Sequence, residues 1–519
     1  MKSTTFLLLA AAVLFNLAGC GGDAAAPADT TAPTPPVPPP PPPEPPVPPP
    51  PVPPIPPSLA LYGHCEKPRP GLAPNGLPYM DFQGTLDDEL NWVRAMIDES
   101  YLWYAEVPAN LKAADFRNPV DFFNVLKTPA LTASGRPRDR FHFTYPSAVW
   151  DAMSNDGVEL GYGLTWLRNS DPAQPRQWLV TLVEPASPAD LAGLRRGDQL
   201  LSVDGALIAD FADAAVAARI NAGLFPSAVG ASHRLLLRRA GAAVDIDVTL
   251  GAVKLSMAPV RNTKVLDTPA GKVGYLTFKE HNAVAESQLA RAIGELKAAG
   301  VSELVLDMRY NGGGLLTIAS ELAYMVAGPQ ATKGKVFEQM KMNDKSQPQP
   351  PQMFLAKAAG FPAPQGLASG AELPYLGLKR VTVLATGATC SASESVINSL
   401  RGVDVEVNLI GAPTCGKPYA FVPAANCGTT YFAIQFQGVN NKGFGDYADG
   451  FQPTCHVADD LGHALGDPAE GLLAAALSFQ RSGACPAAPR AAAPAAAMQL
   501  VRPPVKEISI YTPPRSIHP

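Results

Sequence analysis

Twenty of the chain's 56 prolines fall in the 31 residues from Pro27 to Pro57. Proline has a fixed φ and no backbone N–H, so a run this dense can extend neither a helix nor a sheet. It is expected as a stiff polyproline II stalk, rising about 3.1 Å per residue and reaching on the order of 90 Å. The stalk separates a short N-terminal segment from everything able to build a core. At the other end, residues 486–519 are rich in alanine and proline with little periodicity, and read as a disordered tail. The 427 residues between, 59–485, suffice for about three domains and a large buried interior. Charged residues are 17% of the chain and the net charge is −5. That balance excludes a basic nucleic-acid binder and a disordered acidic chain, so no nucleic-acid partner is expected.

Residues 1–19 read as a signal peptide: Lys2 supplies the positive charge, and the apolar stretch from Phe6 to Leu17 is too short to span a bilayer comfortably. The following Leu17-Ala18-Gly19-Cys20 resembles the bacterial lipobox, which implies lipidation of Cys20 and a membrane anchor. Gly21 stands where an Asp would resemble an inner-membrane retention signal, so the resemblance points to the outer membrane, facing the periplasm. Residues 20–58 are then the linker. Six further cysteines, Cys65, Cys390, Cys415, Cys427, Cys455 and Cys485, make an even set for an oxidising compartment, with fifteen possible connectivities if all pair. Four of them lie between Cys390 and Cys455, where disulfide staples are expected, and none forms a metal-like Cys-x-x-Cys.

Past the linker, Leu90, Val93, Met96, Ile97 and Tyr101 recur at helical spacing after an Asp87/Asp88 start signal, predicting a helical domain over 59–150. Residues 155–253 change to short strands separated by turns. They carry Gly161-Tyr162-Gly163-Leu164 leading into a strand, then Ser187-Pro188-Ala189, Ala192-Gly193-Leu194, Gly197-Asp198 and Val203-Asp204-Gly205. This string resembles a PDZ domain of the bacterial protease type. The resemblance implies that N–H groups of Gly161, Tyr162, Gly163 and Leu164 receive a peptide's C-terminal carboxylate, and that the adjoining strand takes the peptide as an extra strand. From 256 to 485 strands alternate with helices, hence α/β. Strands are predicted at Val273–Phe278, Leu304–Met308, Arg380–Ala385 and Val407–Ile410, with a polar insert from about Thr332 to Leu376.

Three turns in that region could carry chemistry. Gly312-Gly313-Gly314, between a buried strand and a helix, lets backbone approach a ligand and offers free N–H groups. No Gly-Lys-Ser/Thr follows, which excludes a Walker loop. Ser391 stands at a helix start, where serine is ordinarily a cap. Lys417 follows a tight turn after a strand, where lysine is ordinarily solvated.

Taken in order behind a PDZ-like segment, Asp307-x-Arg309-x-Asn311-x-Gly313-Gly314, Ser391-Ala392-Ser393-Glu394 and Gly411-x-Pro413-Thr414-x-Gly416-Lys417 resemble the carboxyl-terminal processing (tail-specific) serine peptidases. That resemblance implies a multidomain α/β protein with an N-terminal helical domain, a β-rich PDZ-like domain and a crotonase-like α/β peptidase domain. It implies Ser391 as nucleophile, Lys417 as a general base that needs a buried, apolar setting, and Glu394 as the group orienting both. The oxyanion hole would use the Ala392 N–H and a glycine-loop N–H, from Gly313 first and Gly312 second. Ser393 is the rival nucleophile. Thr389-Cys390 replaces the family's usual Ser-Ala, and because Cys390 and Cys415 flank the dyad, a disulfide between them is expected. No metal or cofactor is implied. The expected activity is hydrolysis of periplasmic or exported polypeptides at their C-terminal tails; a non-catalytic peptide-binding lipoprotein is the alternative.

Overall fold

Residues 57–486, apart from 74–75, 149, 151–157, 170–174, 257 and 363–364, are described by the computed structural model together with residues 498–501. The signal peptide, Cys20 and nearly all of the proline-rich run lie outside the described residues. Helix α1 (Leu86–Ser100) begins where the sequence signals it. The Thr85 hydroxyl accepts from the Asp88 N–H, and the Asp88 carboxylate accepts from the Thr85 N–H, which satisfies two orphan donors reciprocally. Its buried stripe is Leu90, Trp92, Val93, Met96 and Ile97. With α2 (Pro119–Val125) it packs on Tyr419, Tyr431, Ala433 and Ile434. Strand β1 (Phe143–Pro146) pairs antiparallel with Thr429–Phe432. The N-terminal segment therefore shares its core with residues 419–434, far along the chain, and the Cys65–Cys427 disulfide ties the two together.

The next region is an antiparallel sheet of β2 (Leu164–Asn169), β3 (Trp178–Val183), β4 (Gln199–Val203), β5 (Ser232–Arg238) and β6 (Ile246–Gly251), in the order β6-β5-β4-β3-β2. Helix α3 (Ala214–Leu224), capped by the Asp213 carboxylate, closes a core that contains Trp166, Trp178, Val180 and Leu235. One more strand extends the sheet at β2. Met498–Val501, in the stretch read as disordered tail, pairs antiparallel with β2. A four-residue strand amid alanines and prolines carries too little local pattern to be read in advance, because its partner, not its own propensity, orders it.

The α/β region is built on β7 (Val260–Thr268), β8 (Gly271–Phe278), β9 (Glu303–Asp307), β10 (Arg380–Ala385), β11 (Glu406–Gly411) and β12 (Cys455–His456), neighbours in that order. β7 is antiparallel to β8; from β8 to β12 every pairing is parallel. Alternate residues feed two layers, as the period of a strand dictates. Leu304, Leu306, Val381, Val383, Val407 and Leu409 join one cluster with α4 (Ala285–Ala298), α5 (Leu316–Thr332) and α6 (Ala392–Gly402). Val305, Leu384 and Ile410 join the opposite cluster under α7 (Gly471–Ser482). Burying each of these aliphatic side chains contributes about 1.5–3 kcal/mol, so a sheet covered on both faces holds the strand ends rigidly.

Candidate active site

The three motifs meet because β9, β10 and β11 are adjacent and parallel, so the loops that follow them all emerge at the same edge of the sheet. Backbone bonds join the loops: the Cys390 N–H donates to the Asn311 carbonyl and the Cys415 N–H to the Thr389 carbonyl, each at 3.0 Å. The expected Cys390–Cys415 disulfide is present, with Cα atoms 5.2 Å apart. The other cysteines pair as Cys65–Cys427 and Cys455–Cys485, so only one of the three bridges closes within residues 390–455.

Ser391 occupies the sharp turn between β10 and α6 with φ 57° and ψ −115°, a conformation that costs a non-glycine residue about 1–3 kcal/mol. Glu394, one helical turn on and 0% exposed, holds it there. Its Oε2 accepts from the Ser391 N–H at 2.9 Å and the Lys417 N–H at 2.8 Å. Its Oε1 accepts from the Gly416 N–H at 2.8 Å and the Thr414 hydroxyl at 2.5 Å. One carboxylate thus fixes both turns. Burial pushes its pKa up, opposed by the Thr414 hydroxyl and the three N–H donors.

Lys417 is 5% exposed, and its Nζ lies over the rings of Phe421 at 4.4 Å and Phe141 at 4.9 Å. The side chain is thus buried between two aromatic rings. Phe141 comes from the N-terminal segment, and its neighbour Arg140 donates to the carbonyls of Cys415 at 2.6 Å and Gly416 at 3.1 Å. Neither residue stood out in the sequence, since nothing local marks a side chain that reaches a turn so far along the chain.

In the glycine loop the two oxyanion candidates differ. The Gly313 N–H donates to Asn311 Oδ1 at 2.9 Å, whereas no acceptor takes the Gly312 N–H among the described residues. Gly313, at φ 101°, serves close approach: a Cβ there would lie 2.9 Å from Ser391 Cβ and 3.0 Å from the Ala392 nitrogen. The Ala392 N–H sits at the start of α6, where the helix dipole favours negative charge. Ser393 is 0% exposed and its hydroxyl donates to the Asn311 carbonyl at 3.1 Å, which commits it to structure.

Asn311 organises this loop. Its Nδ2 donates to the Phe278 carbonyl at 3.0 Å, so Oδ1 faces His281 Nδ1 at 3.1 Å as acceptor. Burial pushes the His281 pKa down to about 3, so the ring is neutral and braces the loop. Just upstream, the Arg309 side chain, 0% exposed, bonds to Asp307, Asp459 and Glu470. Arg196 of the PDZ-like region donates to the Tyr310 hydroxyl at 2.7 Å and to Asp459 at 2.8 Å, joining that region to the active-site loop.

The loop Gly161–Leu164 lies where the sequence reading put it, at the start of β2. The Tyr162 and Gly163 carbonyls accept from the Ala189 and Glu184 N–H groups. Gly163, at φ 81°, packs so closely on Ser187 that a Cβ would come within 2.3 Å of that side chain.

Residues 88–145 match the Peptidase S41 N-terminal domain, 179–223 a PDZ domain and 272–426 Peptidase family S41. The carboxyl-terminal-processing protease of Synechocystis sp. is 32% identical over 137 residues, covering 26% of this chain and 31% of that protein. The carboxy-terminal processing protease CtpA of Bacillus subtilis is 28% identical over 243 residues, covering 46% of this chain and 44% of that protein. The chain spans about a third of the length of the first curated relatives it matches. Among solved structures, a candidate S41 protease from Bacteroides fragilis superposes with a TM-score of 0.57 at 26% identity, covering 76% of this chain and 97% of that one. The chain is a multidomain α/β protein with an S41 N-terminal domain, a PDZ domain and an S41 peptidase domain.

Proposed function

We propose that the chain is a serine endopeptidase of the carboxyl-terminal processing type, cutting polypeptides through Ser391 and Lys417. The observation that carries this reading is the strained Ser391 turn and the buried Lys417 turn sharing one oxygen of Glu394 beside the glycine loop. In the reaction, Lys417 takes the Ser391 hydroxyl proton as Oγ attacks the peptide carbonyl. The N–H groups of Ala392 and Gly312 receive the oxyanion. Collapse breaks the C–N bond, the protonated Lys417 gives its proton to the leaving amine, and an acyl-Ser391 remains. Water, with Lys417 again taking a proton, then hydrolyses the ester. The PDZ domain would capture substrate C-termini along β2. Cys20 would anchor the protein in the outer membrane with the catalytic body in the periplasm, so that exported polypeptides are its substrates, and the proline-rich stalk would set its reach.

Ser391→Ala and Lys417→Ala should each lower cleavage of an unfolded protein substrate by at least ~10³-fold while leaving the melting transition in place. Full turnover by Ser391→Ala would overturn the assignment.

A further inference from the structure

The edge of β2 that a substrate C-terminus would join already carries a strand of this chain. Met498–Val501 pairs with it antiparallel, Val501 opposite Trp166 and Met498 opposite Asn169. It therefore runs toward the Gly161–Leu164 loop, the direction that a captured C-terminus must take. The two apolar residues at its end touch different bodies. Val501 packs on the PDZ core. Leu500 packs on a cluster of Leu167 and Leu182 from the PDZ sheet with Tyr310 and Leu465 from the peptidase domain. Tyr310 immediately precedes Asn311, so whatever occupies the β2 edge abuts the active-site loop. The strand is also tethered. Cys485, disulfide-bonded to Cys455 on β12, roots the tail on the catalytic sheet thirteen residues before Met498.

We propose that Met498–Val501 is a built-in competitor for the peptide groove. This rests on reading the β2 edge as the capture site. A short tether gives the tail an effective concentration in the millimolar range, so the groove is mostly filled at rest. The internal strand brings no terminal carboxylate to the loop. A free C-terminus with the same side chains adds that contact and displaces it.

The test uses the full chain carrying Ser391→Ala and a labelled peptide, Ala-Ala-Met-Gln-Leu-Val, with a free carboxylate. Leu500→Asp plus Val501→Asp in the tail should tighten peptide binding on the order of ten-fold by emptying the groove. Gln499→Pro, which removes a strand donor without adding charge, should act in the same direction. The amidated peptide should bind more weakly than the free acid to all three proteins. Equal affinity of the parent and both tail variants, with intact melting transitions, overturns the inference, as does failure of the peptide to bind either tail variant. With Ser391 restored, the same variants should lower KM with kcat unchanged. Peptide binding that tightens in a chain without Ser391-dependent cleavage would sink the peptidase reading and leave the tail inference standing. Ser391-dependent cleavage with binding and KM unmoved by the tail variants would do the reverse.

Discussion

Two buried polar centres hold the active-site loops, and they are built differently. Beneath the glycine loop, Arg309 meets Asp307, Asp459 and Glu470, with Arg196 as a second cation on Asp459. Beneath the serine and lysine turns, Glu394 takes its hydrogen bonds from three backbone N–H groups and a threonine hydroxyl. The first centre balances charge with charge across two domains; the second cradles one carboxylate in neutral donors from two loops. The difference lies in what a substitution leaves behind. Losing the central cation strands like charges together in a dry interior, while losing one acceptor leaves neutral donors unpaired.

The largest effect should follow Arg309→Met. It keeps a long side chain and leaves three carboxylates with only Arg196 to offset them. Breaking a buried pair in this way costs about 3–5 kcal/mol, a large part of an ordinary domain's stability. Urea unfolding should show that loss, and glycine-loop geometry and activity should go with it. A loss below 1 kcal/mol would mean that the charge hub does not hold the loop, and the contrast between the two centres would fall.

Much of the catalytic half was legible in the sequence because its strands are apolar runs bounded by turns. Arg380–Ala385 is a strand with the bounds expected, and the three motifs follow three adjacent parallel strands. Position along a parallel sheet brings such loops together whatever their separation in sequence. The Cys390–Cys415 pair was legible for the same reason: its members flank turns expected to meet. What could not be read are contacts made across the fold by residues with no periodic signature. Arg140 and Phe141 cover the lysine turn, β1 pairs with residues far along the chain, and the tail strand borrows its order from β2. The choice between the Gly313 and Gly312 N–H groups was not legible, because it depends on which way each one points, and the Asn311 side chain takes the first.

A third buried polar centre sharpens the comparison. Glu338, fully buried, accepts from the Ser395 hydroxyl on α6 at 2.8 Å. Burial pushes its pKa up to about 7, and the Ser395 bond only partly opposes this. Its folded-state value therefore lies above the unfolded one, and the fold retains a proton that the unfolded chain releases. Stability from this group is fully present below the unfolded value near 4.3 and is lost as pH rises to about 7, on the order of 3 kcal/mol in all. Glu338→Gln keeps an oxygen for Ser395 and cannot ionise. It should flatten this part of the stability profile and make the variant the more stable protein at pH 8. Parallel profiles for variant and parent between pH 5 and pH 8 would show that Glu338 does not carry that proton.

The smallest change in stability, and the most local, should come from Glu394→Gln. Glutamine has the same shape but offers one accepting oxygen and one donating amide. Either the pair formed by the Ser391 and Lys417 N–H groups or the pair formed by the Gly416 N–H and Thr414 hydroxyl must then face an N–H₂ instead of an acceptor. Unsatisfied buried donors cost about 1–3 kcal/mol, which a domain with about 5–15 kcal/mol of stability survives. When the amide faces the first pair, the backbone at Ser391 loses the bond that holds it at φ 57°, and a shift approaching 1 Å between the proposed nucleophile and base costs about 10²-fold in rate. The expected signature is a fall in kcat of that order with KM nearly unchanged, because the PDZ groove is untouched. A purely structural carboxylate would give the stability loss without the kcat loss. That outcome would make the neutral cradle merely a softer version of the Arg309 hub, whereas the split between kcat and KM would establish Glu394 as the positioning residue for both turns.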